Sequence, residues 1–498
     1  MIHTTSVSIN HDGWWRCMRT FFILSLLSLS ASAFSTIATH AIDPLWPQFR
    51  GTGSRATALG SGPLVFGKNT NQLWRVEVGP GNSSPCISGG FMFLTTHQSN
   101  RLWTVCLNRL DGKEIWRVAA PTEKLEPTHS LGSPATASPA TDGERVYVYF
   151  GSFGLLAYDL KGHELWRKPI PPPVVEFGAS ASPIIAGKML VQVCDQDTGS
   201  FVFALNKLNG ETIWRRERPE FRRSFATPYV WTHNGTEELI VPGSIWLKSY
   251  NLSDGTERWS FSGTSRVACS SPTASEFMLF SASWNVGGDE GARITMPNWE
   301  EYIKAHDLNL DGRLTLSEMD PGPVRERFTQ VDLDKDGFVT AGEWKNMAEM
   351  FLKAGNALVA LRPDGNGDIT STHLAWKSTR SLPYVASPIY YSNQVYTVKN
   401  GGLASAYNST TGNALFQDER LNAPGDYFAS PIAADGRIYF ISDRGRITVL
   451  AAESKMRILG QIDLQETVHA TPCIVENTIY IRGETHLSAF REYSAPNL

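Results

Sequence analysis

A dipeptide, Ser-Pro or Thr-Pro followed by a short strand pattern, recurs eight times along this 498-residue chain. The copies are Ser84-Pro85, Ser138-Pro139, Ser182-Pro183, Thr227-Pro228, Ser271-Pro272, Ser387-Pro388, Ser430-Pro431 and Thr471-Pro472. Their prolines are spaced 54, 44, 45, 44, 116, 43 and 41 residues apart. A near-constant period of this length marks a chain built from stacked copies of one supersecondary unit. Length alone would allow two to four domains. The period replaces that prior with one ring of repeats, interrupted once, where the interval of 116 exceeds a period of 44 by 72 residues.

One unit, "ASPIAADGRIYFISDRGRITVLAAESKMRIL" (429–459), reads as four strands, A to D. Strand A carries Ser-Pro, Asp435-Gly436 turns into B ("RIYFIS"), and the turn around Asp443–Gly445 leads to C ("RITVLA"). Asp-Gly and Asn-Gly favour tight hairpins because both central residues tolerate positive φ. The same signals recur at Asp111-Gly112, Asp142-Gly143, Asn209-Gly210 and Asp254-Gly255. Strand D repeatedly reaches a Trp (Trp116, Trp166, Trp214, Trp259, Trp376), replaced by Phe416 and Leu459 in two units. A large ring at one place in every repeat wedges between neighbouring sheets, which is β-propeller packing. The eighth unit lacks strand D, and a spare strand, "NQLWRVEV" (71–78), precedes the first. That strand closes the ring. The expected fold is all-β, an eight-bladed β-propeller with a small α-helical EF-hand insertion. Its first part covers residues 45–283, the insertion 284–356, and its second part 357–493.

The insertion replaces the B–C turn of the fifth unit and contains two twelve-residue loops, 307–318 and 332–343. Both fit the EF-hand pattern of oxygen ligands at positions 1, 3, 5, 7, 9 and 12 with Gly at 6. The first offers Asp307, Asn309, Asp311, the Arg313 carbonyl, Thr315 and Glu318; the second offers Asp332, Asp334, Asp336, the Phe338 carbonyl, Thr340 and Glu343. A hard cation wants six or more oxygens, and the terminal Glu supplies two. Two Ca2+ sites are expected, the second tighter, because it has four side-chain carboxylates against three. Leu314 and Val339, both at position 8, are placed to share a β-bridge. Only 13 residues separate the loops, including Pro321 and Pro323, so the helix between them must be short. Asn298 and Glu301 resemble a capping box. Trp344, Met347, Ala348 and Phe351 fall on one face of the last helix. A third acidic stretch, "DGNGD" (364–368), lacks Glu at position 12 and reads as a C–D turn.

Strands alternate direction within a blade, so B–C turns and D-to-A links emerge on one face. The insertion therefore sits beside the channel mouth. Residues preceding the Ser/Thr-Pro motifs would line that mouth: Asn82, Arg223, Tyr384, Asp426, Tyr427 and His469.

The formal charge of −4 offers no basic surplus for nucleic acid. Arg16 and Arg19, the apolar run 21–29 and "ASA" (31–33) resemble a secretory leader cleaved after Ala33, with Met18 as an alternative start. After cleavage no membrane span is expected, and the protein would be secreted or periplasmic. Cys86, Cys106, Cys194, Cys269 and Cys473 then remain, an odd set without paired spacing and so no disulfide framework. A phosphate-cradling Gly loop, HExxH and a nucleophile elbow are missing. Of the 11 His, His129 and His469 fall near predicted channel ends.

The segments "WPQFRG" (46–51), "LWRVEVGPGNSSP" (73–85), "LNRLDGKEIW" (107–116), "LNKLNGETIW" (205–214) and "VHATPCIVENTIYIRGETHLSAF" (468–490) resemble the PQQ-like β-propeller family. That family includes quinoprotein dehydrogenases and the propeller lipoprotein of outer-membrane protein assembly. The likeness covers the whole mature chain and is strongest to secreted bacterial members with an EF-hand insertion. It implies two readings. One is a non-catalytic, calcium-binding module for a protein or glycan-like partner. The alternative is a quinone (PQQ)-dependent dehydrogenase of alcohols or sugars. Family dehydrogenases set an adjacent Cys pair against the quinone and hold calcium in the channel. This sequence has no Cys-Cys dipeptide, so PQQ and catalysis are not expected.

Overall fold

The computed structural model describes residues 44–492, so the expected leader and Cys17 lie outside it. Turn chemistry cuts the chain into short strands, and these form eight sheets, each built on four antiparallel strands in the order A-B-C-D, with a fifth strand added to three of them. The seventh unit shows the pattern, with strands Ile432–Ala434, Arg437–Ile441, Arg446–Ala451 and Ile458–Asp463. The ring closes where expected. Gln72–Glu77 pairs antiparallel with His486–Phe490, Gln72 opposite Phe490 and Glu77 opposite His486. Arg482, fully buried at that seam, donates to the carbonyls of Ser83 (3.0 Å) and Thr95 (2.9 Å) in blade one.

The strand-D tryptophans dock each blade on the next. Trp116 Nε1 donates to Leu160 O at 2.9 Å, Trp166 to Lys207 O at 3.0 Å, Trp214 to Leu252 O at 2.7 Å and Trp376 to Ser409 O at 2.9 Å. Each acceptor lies in the next blade's C–D turn, so the buried indole N–H is satisfied there. The ring of Trp166 lies on Gly210, where a Cβ would fall 2.7 Å from it. Trp259 departs from the rule and donates to buried Glu238 Oε2 at 2.7 Å. The turn at 364–368 explains this. Gly367–Asp368 reaches back as a short strand parallel to Trp259–Ser260 of blade four, a role beyond a simple C–D turn.

The Ser/Thr-Pro motifs form a second set of inter-blade links. The Ser84 backbone N–H donates to Ser138 Oγ at 2.8 Å, and Ser138 N–H to Ser182 Oγ at 2.9 Å. The same link joins Ser182 to Thr227, Ser271 to Ser387, Ser387 to Ser430 and Ser430 to Thr471, all at 2.9–3.0 Å. A small hydroxyl at this place holds strand A against strand A around the channel.

The channel is closed at one end by the segment following Pro44. Pro44–Trp46 adds to the inner edge of blade one, and Thr57–Ala58 adds to that of blade seven. Between them, Gln48 Oε1 accepts from Ile185 N in blade three at 2.9 Å. Fully buried Arg50 donates to Pro272 O (3.0 Å) in blade five and Pro388 O (2.6 Å) in blade six. "WPQFRG" is therefore a plug that cross-braces the innermost strands.

The insertion lies between strand B (Leu279–Ser283) and strand C (Ala357–Leu361) of blade five. It contains α1 (Trp299–His306), the single turn α2 (Phe328–Val331) and α3 (Ala341–Lys353). Asn298 caps α1 by accepting from Glu301 N at 3.2 Å. The buried face of α3 is Trp344, Met347, Met350 and Phe351, so Met350 takes the place expected for Ala348. The insert's core also includes Ile245, from the B–C turn of blade four. Ile245 holds φ 58°, which a β-branched residue rarely adopts. That conformation aims its side chain out of the propeller and into the insert.

Candidate metal centre and channel mouth

Both loops take the backbone turns of the EF-hand pattern. In the second, Asp332 Oδ2 accepts from Gly337 N at 3.1 Å, Asp334 Oδ1 from Asp336 N at 3.2 Å and Asp336 Oδ1 from Phe338 N at 2.9 Å. Glu343 accepts from Leu333 N (2.7 Å) and from the N–H and hydroxyl of Thr340 (2.8 Å each). The first loop repeats this. Asp307 Oδ2 accepts from Gly312 N at 2.8 Å, Asn309 Oδ1 from Asp311 N at 3.0 Å, and Glu318 from Thr315 N at 2.8 Å. Gly312 and Gly337 take φ 80° and 88° at the sharp turn. Leu314 and Val339 form the expected bridge, with N–H to O distances of 3.0 and 2.8 Å.

The loops differ in readiness for a cation. Carboxylate oxygens of Asp332, Asp334 and Glu343 lie within 4.8 Å of one another. Asp332 is buried, and its Oδ1 has no hydrogen-bond partner among the described residues. Burial, with Glu343 beside it, holds the Asp332 carboxyl above the usual range. A buried, unpartnered carboxylate oxygen facing a second carboxylate is stabilised by a divalent cation. The donor set therefore fits Ca2+ best in the second loop.

The second loop is fastened to the propeller. Gln330, two residues before Asp332, accepts through Oε1 from Arg266 at 2.7 Å and through its carbonyl from Arg222. Lys335 Nζ, at position 4, lies 3.3 Å from Asp197 Oδ2, and Asp197 also pairs with Arg223 at 2.6 Å. Arg222, Arg223 and Arg266 all sit in D-to-A links, which places the insertion on the expected face.

At that face the channel opens as a cavity of about 290 Å³ above Phe49 of the plug. Asn82, Tyr384 and His469 line it, as expected. Three expected residues do not. Arg223 is buried in its ion pairs with Asp197 and Glu176 and faces an adjoining vestibule. Asp426 is exposed outside the cavity. Tyr427 is buried, with its hydroxyl donating to Ala423 O at 2.7 Å. The residue that lines the channel in every blade is the second before the Ser/Thr-Pro hydroxyl: Asn82, Thr136, Ser180, Phe225, Cys269, Val385, Phe428 and His469. Extended chain alternates its side chains, so this position faces the axis together with the hydroxyl. Counting back by two from each motif would have found Phe428 instead of Tyr427.

His129 also lines the cavity, with Phe177 5.5 Å away, and Phe428 packs edge-on to His469 at 5.1 Å. Burial holds His469 below the usual histidine range. The lining contains aromatic rings, hydroxyls and amide groups and no Asp, Glu, Lys or Arg. Its single cysteine, Cys269, is pushed up to about 12 by burial. The lining thus holds one thiol and no carboxylate.

Residues 104–268 and 350–492, more than half of the chain, match the family described as outer membrane protein assembly factor BamB, a PQQ-type repeat family. The chain belongs to that family. Within this BamB-type propeller, residues 324–348 match the EF-hand family, a span that contains the second loop. A quinohemoprotein alcohol dehydrogenase, ADH IIB of Pseudomonas putida, is 22% identical over 179 residues, 33% of this chain. The chain spans only 25% of that relative's length. Among solved structures, BamB of Moraxella catarrhalis superposes with TM-score 0.51 at 11% identity, covering 85% of this chain and 99% of that one. Quinohemoprotein alcohol dehydrogenase of Comamonas testosteroni gives TM-score 0.54 at 11% identity, covering 91% and 82%. At these identities the likeness is one of fold. No helix among the described residues is long and apolar enough to cross a membrane.

Proposed function

We propose that this is an exported, calcium-binding propeller that acts as a binding or scaffold module for a protein or glycan-like partner at the channel mouth. The observation that carries this reading is the chain of contacts from the second calcium loop, through Gln330, to Arg222 and Arg266 at the mouth. Calcium in that loop would fix the insert as one wall of the opening. The plugged channel behind it is a blind, neutral, aromatic-lined pocket of the kind that holds a small or glycan-like group. The family's description as an outer membrane protein assembly factor fits a protein partner and an extracytoplasmic setting.

The alternative, quinone-dependent oxidation of alcohols or sugars, draws on the relatives named as alcohol dehydrogenases. The neutral lining with a single cysteine weighs against it. Two experiments separate the readings. Affinity capture from the exported fraction, with and without calcium, should recover a partner that Tyr384→Ala and His469→Ala variants lose. Reconstitution with quinone and calcium should give no dye-linked oxidation of alcohols or sugars; turnover above background would favour the enzyme.

A further inference from the structure

Between the insertion and the channel mouth lies a second cavity of about 300 Å³. It shares Phe177, Phe225, Cys269 and Tyr384 with the channel pocket, so the two are continuous. Its character is different. Arg223, Arg266 and Arg327 line it, with Glu326 as the one acidic residue.

These arginines are not equivalent. Arg223 is neutralised by Asp197 and Glu176. Arg327 donates to Pro323 O at 2.7 Å and has Glu326 3.7 Å away. Arg266 is 9% exposed and has no carboxylate within ion-pair distance among the described residues; its side-chain hydrogen bond there goes to neutral Gln330, and its guanidinium lies over the Phe351 ring at 5.4 Å. Its Nε is buried and without a partner. Burial and the neighbouring Arg327 and Arg223 push its pKa down to about 10. A buried cation among cations is stabilised by an anion that reaches it. On the same wall, Asn285 is 7% exposed, and its side-chain oxygen also lacks a partner.

We propose that this vestibule binds a uronic-acid-type saccharide, its carboxylate held by Arg266 and Arg327 and a ring hydroxyl by Asn285. The sugar's apolar face would lie against Phe177, Phe225 and Tyr384 at the entrance to the channel. The inference rests on the channel-mouth reading above and narrows it to an acidic glycan.

The test is calorimetric titration of the calcium-saturated full chain with digalacturonic acid and with its carboxyl-reduced, neutral counterpart. The acid should bind, and its affinity should fall as KCl rises. The neutral disaccharide should bind at least about tenfold more weakly, because a charge-assisted hydrogen bond is lost. Arg327→Gln, less buried and outside the Gln330 contact, should weaken the acid by a similar factor with melting curves and calcium binding unchanged, and Arg266→Gln should weaken it as much while also loosening the contact to Gln330. Equal affinity for both disaccharides, insensitive to either variant, would overturn the anionic assignment and leave a neutral glycan-binding module. Binding of neither would overturn the saccharide assignment, and calcium-dependent capture of a partner would then decide the broader reading on its own.

Discussion

Arg266, in the link between blades four and five, donates through Nη1 to the side-chain oxygen of Gln330 at 2.7 Å, and Gln330 lies two residues before Asp332, which opens the second EF-hand loop. The second loop and the propeller's mouth therefore share one short lever. Calcium loading should slow amide hydrogen exchange in residues 264–268 as well as in the loop. Gln330→Ala should keep the protection in the loop and lose it in the link. Protection of the link that survives Gln330→Ala would remove this lever from the account.

Ile245 joins the same two bodies by packing. Its side chain is buried in the insert's core while its backbone stays in a turn of blade four at φ 58°. Ile245→Ala should cost the docked insert about 2–4 kcal/mol by leaving a cavity. Exchange should then quicken across α3 and stay slow in the strands of blade four. Uniform destabilisation of both would mean that insert and propeller unfold as one unit.

The turn glycines offer a test of blade docking. Gly210 has φ 74°, and a Cβ there would meet the Trp166 ring at 2.7 Å. Gly210→Ala combines backbone strain with a clash against an indole that cannot shift without losing its bond to Lys207 O. A loss of about 2 kcal/mol or more is expected in denaturant unfolding. Gly436→Ala, also at positive φ but with open space around it, should cost only the backbone part.

One buried acid makes stability depend on pH. Glu126, 6% exposed, is pushed up to about 8 by burial, against an ordinary value of 4.5. A carboxyl raised in the folded state prefers its proton there. Its stabilising effect is thus full below about pH 4.5 and is lost as pH rises towards 8. Glu126→Gln, which keeps an acceptor for the Ala179 N–H, should raise stability at pH 8 by roughly 4 kcal/mol and remove this slope. Thermal unfolding from pH 4 to 9 reads it directly.

Much of this architecture was legible because it is periodic. The Ser/Thr-Pro spacing locates each blade, and Arg437–Ile441 and Arg446–Ala451 coincide with the strands read from alternation and turn residues. The EF-hand pattern was legible because its spacing is fixed within one contiguous loop. Features that depend on distant segments meeting were not. Nothing near Arg50 or Arg482 in sequence indicates that one braces blades five and six or that the other seals blade eight to blade one. The mouth residues were partly missed for a local reason. In an irregular link, a shift of one residue turns Tyr427 into the wall and brings Phe428 to the axis. The orphaned atoms of Arg266 and Asn285 became visible only once the insert had closed over the links.

The central claim is that calcium binds the insert and does so most tightly in its second loop. With calcium at ~1 mM and a dissociation constant of ~10 μM, each site would add ~2.7 kcal/mol. The direct measurement is calcium titration by calorimetry of the full chain, of Glu318→Gln, of Glu343→Gln and of the double variant. The account predicts two sites in the parent, loss of the tighter one in Glu343→Gln, loss of the weaker one in Glu318→Gln, and none in the double variant. Unchanged calcium binding in the double variant would contradict it.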